Sequence, residues 1–157
     1  MYAIVEDCET TRALLVTVIR GITSKDVIDF GSAESFIREL KIREHKLHAI
    51  FLDINLPGVN GIDLIKAIHK LDAYAETPIV ICSANNNRET IMAALRGGAV
   101  NFVVKPFTRE QIKMVILALP SEDEVKAEVV DVPVKKEVEA GDDVDILNEA
   151  TEKMIDN

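Results

Sequence analysis

The sequence predicts a doubly wound α/β fold, a five-stranded parallel sheet covered by five helices. Three observations predict it. Short apolar runs alternate with longer stretches of helical periodicity five times over residues 1–119, the pattern of linked βα units. The runs have no regular polar face, as expected of strands covered on both sides. Polar groups capable of chemistry sit at the C-terminal ends of those runs, where parallel sheets hold their ligands.

The expected strands are residues 2–5, 26–30, 49–52, 78–82 and 102–104, each rich in β-branched or other apolar side chains. Residues 10–22 put Leu14, Leu15, Val18, Ile19 and Ile22 on one face of a first helix. Residues 32–45 open with Ser32 as an N-cap and turn Phe36, Ile37, Leu40 and the stem of Arg43 inward. Residues 61–71 carry a stripe of Ile62, Ile65 and Ile68, with Leu64 and Leu71 beside it. Residues 88–96 run into Gly97-Gly98, a helix stop signal. Residues 108–119 begin with Thr108 and Gln111 in capping-box spacing and stop at Pro120.

The chain has 157 residues, enough for one domain of ordinary size over 1–119 and an extension over 120–157. Residues 1–119 carry 14 Lys+Arg and 14 Asp+Glu, so the net charge of −9 lies wholly in the extension, with 4 Lys against 13 Asp+Glu. That balance argues against nucleic acid and anionic membrane surfaces as partners, since both attract cationic patches. No apolar run approaches the ~20 residues of a membrane span, and the start Met1-Tyr2-Ala3-Ile4-Val5-Glu6-Asp7 is unlike a signal peptide. A cytoplasmic location is expected. Cys8 and Cys82 form no metal-spaced motif and read as buried packing thiols. His45, His48 and His69 do not cluster and read as surface or structural; Arg12 and Arg88 read as solvated helix charges. In the extension, the valines of 127–134 suit a strand that finds an edge. Residues 142–155 align Ile146, Leu147, Ala150, Met154 and Ile155 as a possible amphipathic helix.

The strand ends collect Glu6-Asp7, then Asp53, then Ser83, then Lys105-Pro106. Three carboxylates brought together repel one another unless a cation joins them. Mg²⁺ suits such oxygen donors and keeps some of its waters. A lysine and a hydroxyl beside it complete a phosphate site, and a carboxylate so placed can serve as a phosphoryl acceptor.

Glu6-Asp7, Asp53 within Phe51-Leu52-Asp53-Ile54-Asn55-Leu56-Pro57-Gly58-Val59-Asn60-Gly61, Ser83-Ala84 and Lys105-Pro106-Phe107 together resemble the signature set of response-regulator receiver domains. The resemblance covers residues 2–119 and is closest in kind to single-domain, chemotaxis-like regulators with a flavodoxin-like fold. It implies that Asp53 takes phosphate from a histidine kinase or phosphotransfer protein in a two-component phosphorelay. It further implies Mg²⁺ held by Asp7, Asp53, the backbone carbonyl of Asn55 and, mostly through water, Glu6. Lys105 would pair with the phosphoryl oxygens, and Ser83 and Phe102 would form the switch. Output would be a protein contact through the helix 4–strand 5–helix 5 face of a monomer or weak dimer, with no separate catalytic or DNA-binding domain. This sequence departs from the commoner family pattern in Glu6 of the acidic pair, in Ser83 for threonine and in Phe102 for tyrosine. Val100-Asn101 replaces acidic residues that brace dimers in transcription-factor relatives. Two alternatives compete. An aspartate-nucleophile phosphohydrolase needs a general acid two residues after the nucleophile, where this chain has Asn55. A constitutive scaffold would have no use for the acceptor set.

Overall fold

The computed structural model describes residues 1–120. The expected strand at 127–134 and helix at 142–155 lie outside the described residues. Strands β1 (Tyr2–Val5), β2 (Val27–Phe30), β3 (Ala49–Asp53), β4 (Ile79–Ser83) and β5 (Asn101–Val104) alternate with five helices. These are α1 (Glu9–Arg20), α2 (Ala33–Ile42), α3 (Gly61–His69), α4 (Arg88–Arg96) and α5 (Arg109–Leu117). The strands form one parallel sheet in the order β2-β1-β3-β4-β5. The chain first builds to one side of β1 and then returns to the other. The switch point between β1 and β3 is where such sheets open a ligand crevice.

Side chains alternate across the sheet and divide the core in two. Along β3, Ile50 and Leu52 point into the cluster holding Phe36, Leu64, Ile65 and Ala94 from α2, α3 and α4. Ala49 and Phe51 point into the other, with Leu15 and Ile19 of α1 and Ile112 and Val115 of α5. Every residue of β1, β3 and β4 is buried, and each large apolar side chain so placed contributes ~1.5–3 kcal/mol. The edge strands depart from the two-sided apolar pattern: β2 has Asp29 exposed, and β5 opens with the half-buried Asn101.

The caps act where the sequence puts them. The Ser32 hydroxyl accepts the Ser35 N–H, and Thr108 and Gln111 form the reciprocal box at the start of α5. Three expectations fail. Leu14 is 50% exposed; Leu15 and Ile19 face the sheet, and Leu14 sits ~100° around the helix from Leu15 and ~140° from Ile19. α2 ends at Ile42, and Arg43 continues in extended conformation with its side chain 72% exposed, so its stem does not face inward. Cys8 is exposed because it lies on the rim as the N-cap of α1; only Cys82 is buried.

A two-stranded antiparallel ribbon, Asn55–Leu56 against Val59–Asn60, follows β3 and was not expected. Pro57-Gly58 turns it, with Gly58 at φ 76°, the positive φ that a glycine in the third position of such a turn supplies. Gly61 then closes it. A Cβ there would lie 2.6 Å from the Ile54 Cα and 2.7 Å from the Asp53 carbonyl oxygen.

Candidate functional site

Each polar residue read from the strand ends reaches the same rim. Glu6 and Asp7 follow β1, Asp53 ends β3, Ser83 ends β4 and Lys105 follows β5. Parallel pairing forces this convergence. Asp53 is level with Cys82, and Ser83 with Val104, so the three strand ends present their next side chains together.

One oxygen from each of Glu6, Asp7 and Asp53 falls within 4.8 Å of the others. Glu6 is 1% exposed and Asp53 6%, whereas Asp7 faces solvent. Lys105 enters from β5, and its Nζ donates to Glu6 Oε2 and, at 2.6 Å, to Asp53 Oδ2. The peptide bond between Lys105 and Pro106 is cis. Backbone amides hold the other carboxylate oxygens: Cys8 N–H donates to Glu6 Oε1 at 3.2 Å, and Asn55 N–H to Asp53 Oδ1 at 2.9 Å.

Burial pushes the Glu6 carboxyl above its ordinary value, and the hydrogen bond from Lys105 offsets this only in part. For Lys105, burial works against the charged form. The hydrogen bonds to Asp53 and Glu6 outweigh it and raise the pKa. Three carboxylates against one ammonium leave a formal charge of −2 in the cluster. Hard oxygen donors, close spacing and uncompensated negative charge together fit a small divalent cation.

Ser83 is fully buried, and its Oγ accepts from the Asn85 N–H at 3.1 Å and from Asn55 Nδ2 at 3.4 Å. Both contacts use the oxygen as acceptor, which leaves the hydroxyl hydrogen to give. Phe102 is partly buried and packs on the core cluster beneath α4. The histidines are structural. His45 Nε2 lies 2.9 Å from Glu39, His69 Nε2 lies 3.2 Å from the Thr77 carbonyl, and His48 meets Tyr2 edge-on.

Arg12 was misread as a solvated charge. Its side chain is only 20% exposed and bonds Asp29 and the carbonyls of Glu6 and Asp7. The spacing to Asp7 was visible in the sequence, but the partner on β2 was not.

The doubly wound sheet with an acid cluster and a lysine at one rim fits a receiver-type α/β domain, and residues 3–117 match the response regulator receiver domain family. The chain belongs to that family and is a CheY-like receiver domain of two-component signalling. Over 112 residues it is 26% identical to a chemotaxis protein CheY homolog of Campylobacter jejuni, covering 70% of this chain and 84% of the relative. Over 72 residues it is 39% identical to chemotaxis protein CheY of Thermotoga maritima, covering 46% of this chain and 58% of that one. The solved chemotaxis response regulator CheY4 of Vibrio cholerae shares the fold with a TM-score of 0.69 at 19% identity, covering 76% of this chain and 97% of that chain. So does the receiver domain of sensor histidine kinase PA1611 from Pseudomonas aeruginosa, solved with a magnesium ion in its active site cleft. Its TM-score is 0.66 at 19% identity, with coverage of 75% and 94%. Among the described residues, no helix is long and apolar enough to cross a membrane.

Proposed function

We propose that this chain is a phosphoacceptor that takes phosphate from a phosphohistidine on Asp53 and signals through protein contacts. The observation that carries the reading is the Asp53 carboxylate, bonded by Lys105 at 2.6 Å inside the cluster with Glu6 and Asp7. An Asp53 oxygen attacks phosphorus as the P–N bond breaks, and the imidazole nitrogen leaves with the electron pair and takes a proton. The donor is a histidine kinase or a phosphotransfer protein.

Glu6, Asp7, Asp53 and the Asn55 backbone carbonyl would hold Mg²⁺, whose charge, when bound, offsets that of the phosphoryl oxygens. The chain's own residues do the rest. Lys105 turns one of its hydrogen bonds from a carboxylate to a phosphoryl oxygen. Ser83 donates its free hydrogen to another, which draws the β4 end inward. Phe102 lies beyond it on β5 and is the side chain whose packing would shift, carrying the change to the face of α4, β5 and α5. Met92, Leu95 and Val100 are already exposed in that region and suit a protein partner.

The test is incubation of the chain with Mg²⁺ and acetyl phosphate, read by intact mass, with Asp53→Asn as control. One phosphate on the wild type and none on the variant is expected. Label that persists in the variant puts the acceptor elsewhere. A wild type that takes none leaves the constitutive scaffold as the better reading.

A further inference from the structure

We propose that Arg12 is a positioning residue: its guanidinium fixes the main chain of Glu6 and Asp7 so that both carboxylates meet a cation together. The inference rests on the phosphoacceptor reading above and goes beyond it by assigning a residue outside the acid cluster.

Arg12 lies on the first turn of α1, and its side chain crosses to β2. Nε donates to Asp29 Oδ2 at 3.1 Å. Nη1 donates to the Glu6 carbonyl at 2.8 Å and reaches the Asp7 carbonyl at 3.4 Å. Two successive carbonyls aimed at one donor fix the orientation of both peptide planes. The preceding peptide is also tied, because the Glu6 N–H donates to the Phe30 carbonyl at 3.0 Å. Glu6 is thus held through its N–H, its carbonyl and both carboxylate oxygens. Asp7 has an exposed side chain, and Arg12 touches its carbonyl.

A second, independent feature serves the same contact. Gly31, just past β2, faces the guanidinium, and a Cβ there would lie 3.2 Å from Nη1 and 3.6 Å from Cζ. The missing side chain leaves room for a planar fork.

The physical need is clear. Three carboxylates within 4.8 Å repel, and repulsion spreads a free loop. A clamp on the backbone keeps the donors gathered before the cation arrives, which lowers the ordering that binding must impose. Lysine cannot replace it, since one ammonium on a flexible stem lacks a fork spanning Asp29 and the carbonyls.

The experiment compares the full-length wild type with Arg12→Ala, Arg12→Lys and Gly31→Ala. Mg²⁺ affinity is measured calorimetrically. Labelling by acetyl phosphate is then followed across Mg²⁺ concentrations. Arg12→Ala and Arg12→Lys are expected to weaken Mg²⁺ binding about tenfold, the usual scale for groups that orient metal ligands. Gly31→Ala is expected to weaken it less. The half-saturating Mg²⁺ concentration should rise while the rate at saturating Mg²⁺ returns towards wild type. A merely structural role would lower the amplitude and leave half-saturation in place, and that result overturns the proposal. If Arg12→Ala fails to fold, the other two variants decide, and wild-type Mg²⁺ affinity in both overturns it. A wild type that binds no Mg²⁺ sinks the phosphoacceptor reading itself, a different outcome from a wild type that binds and variants that bind equally.

Discussion

At the residue scale the site is a contest between burial and charge. Glu6 and Asp53 are nearly sealed from water, and Lys105 is the cation bonded to both. Removing one partner of a buried pair costs ~3–5 kcal/mol. Lys105 keeps 16% of its side chain exposed, so Lys105→Met should cost somewhat less, roughly 2–4 kcal/mol, in urea unfolding without Mg²⁺. The pH dependence follows from the direction of the shift. Lys105 holds its proton above the ordinary 10.5 in the folded chain. Its stabilising charge is therefore fully present below pH 10.5 and lost as pH climbs through the folded-state value. Wild-type stability should fall in that alkaline window, and Lys105→Met should show less of the fall. Glu6 works in the opposite sense. Its raised pKa means the folded chain binds that proton more tightly, so acid relieves the burial of its charge. The two thiols separate as sharply. Cys82 is buried and pushed up to about 12, while Cys8 is exposed and lowered by its hydrogen bonds to Thr11. A thiol reagent at neutral pH should modify only Cys8 in the native chain and reach Cys82 after unfolding. Modification of Cys82 in the native chain would contradict its placement.

At the element scale, what the sequence revealed depended on the range of the interaction. Ser32 and the Thr108–Gln111 box were legible because a cap is satisfied within three residues. Thr108→Ala should cost about 1 kcal/mol in denaturant unfolding, with no effect on Mg²⁺ affinity. The ribbon after β3 was not legible. Its strands are two residues each, too short for a periodicity to register. The two glycines there should behave differently. At Gly58 there is open space, and only the positive φ is strained, so Gly58→Ala should cost ~1–2 kcal/mol and leave the acid cluster alone. At Gly61 a Cβ meets the Asp53 and Ile54 backbone. Overpacking of that kind costs ~1–3 kcal/mol, and here it also displaces the acceptor. Gly61→Ala should therefore slow Asp53 labelling in protein that still folds, whereas Gly58→Ala should not. Equal labelling by the two would show that the contact is absorbed elsewhere. Leu14 and Arg12 escaped the sequence reading for one reason: both answers depend on what lies beside α1, and periodicity within a helix says nothing of its neighbours.

At the scale of the whole molecule, the site was legible because parallel strands bring their C-terminal ends to one rim whatever the loops do between them. Once the five runs were placed, Glu6, Asp7, Asp53, Ser83 and Lys105 had to share an edge. In the extension the strongest sequence signal is its charge. Residues 1–119 balance at 14 positive against 14 negative, and the rest carries the entire −9. Among the described residues, one core cluster extends to Phe102 and the other to Leu119, so a chain cut after Pro120 should retain its unfolding midpoint and its Mg²⁺ site. Its chemistry with a small anion should change in one direction. A net negative chain repels acetyl phosphate, and the truncated chain is close to neutral. Labelling of Asp53 should then be faster after truncation at low salt. The two rates should converge as ionic strength passes ~0.1 M, where the screening length is ~10 Å. The comparison needs only initial labelling rates of both chains at several salt concentrations and saturating Mg²⁺. A truncated chain that unfolds would place part of the core beyond Leu119. A rate difference that ignores salt would mean that the extension acts on the site by contact and not by its field.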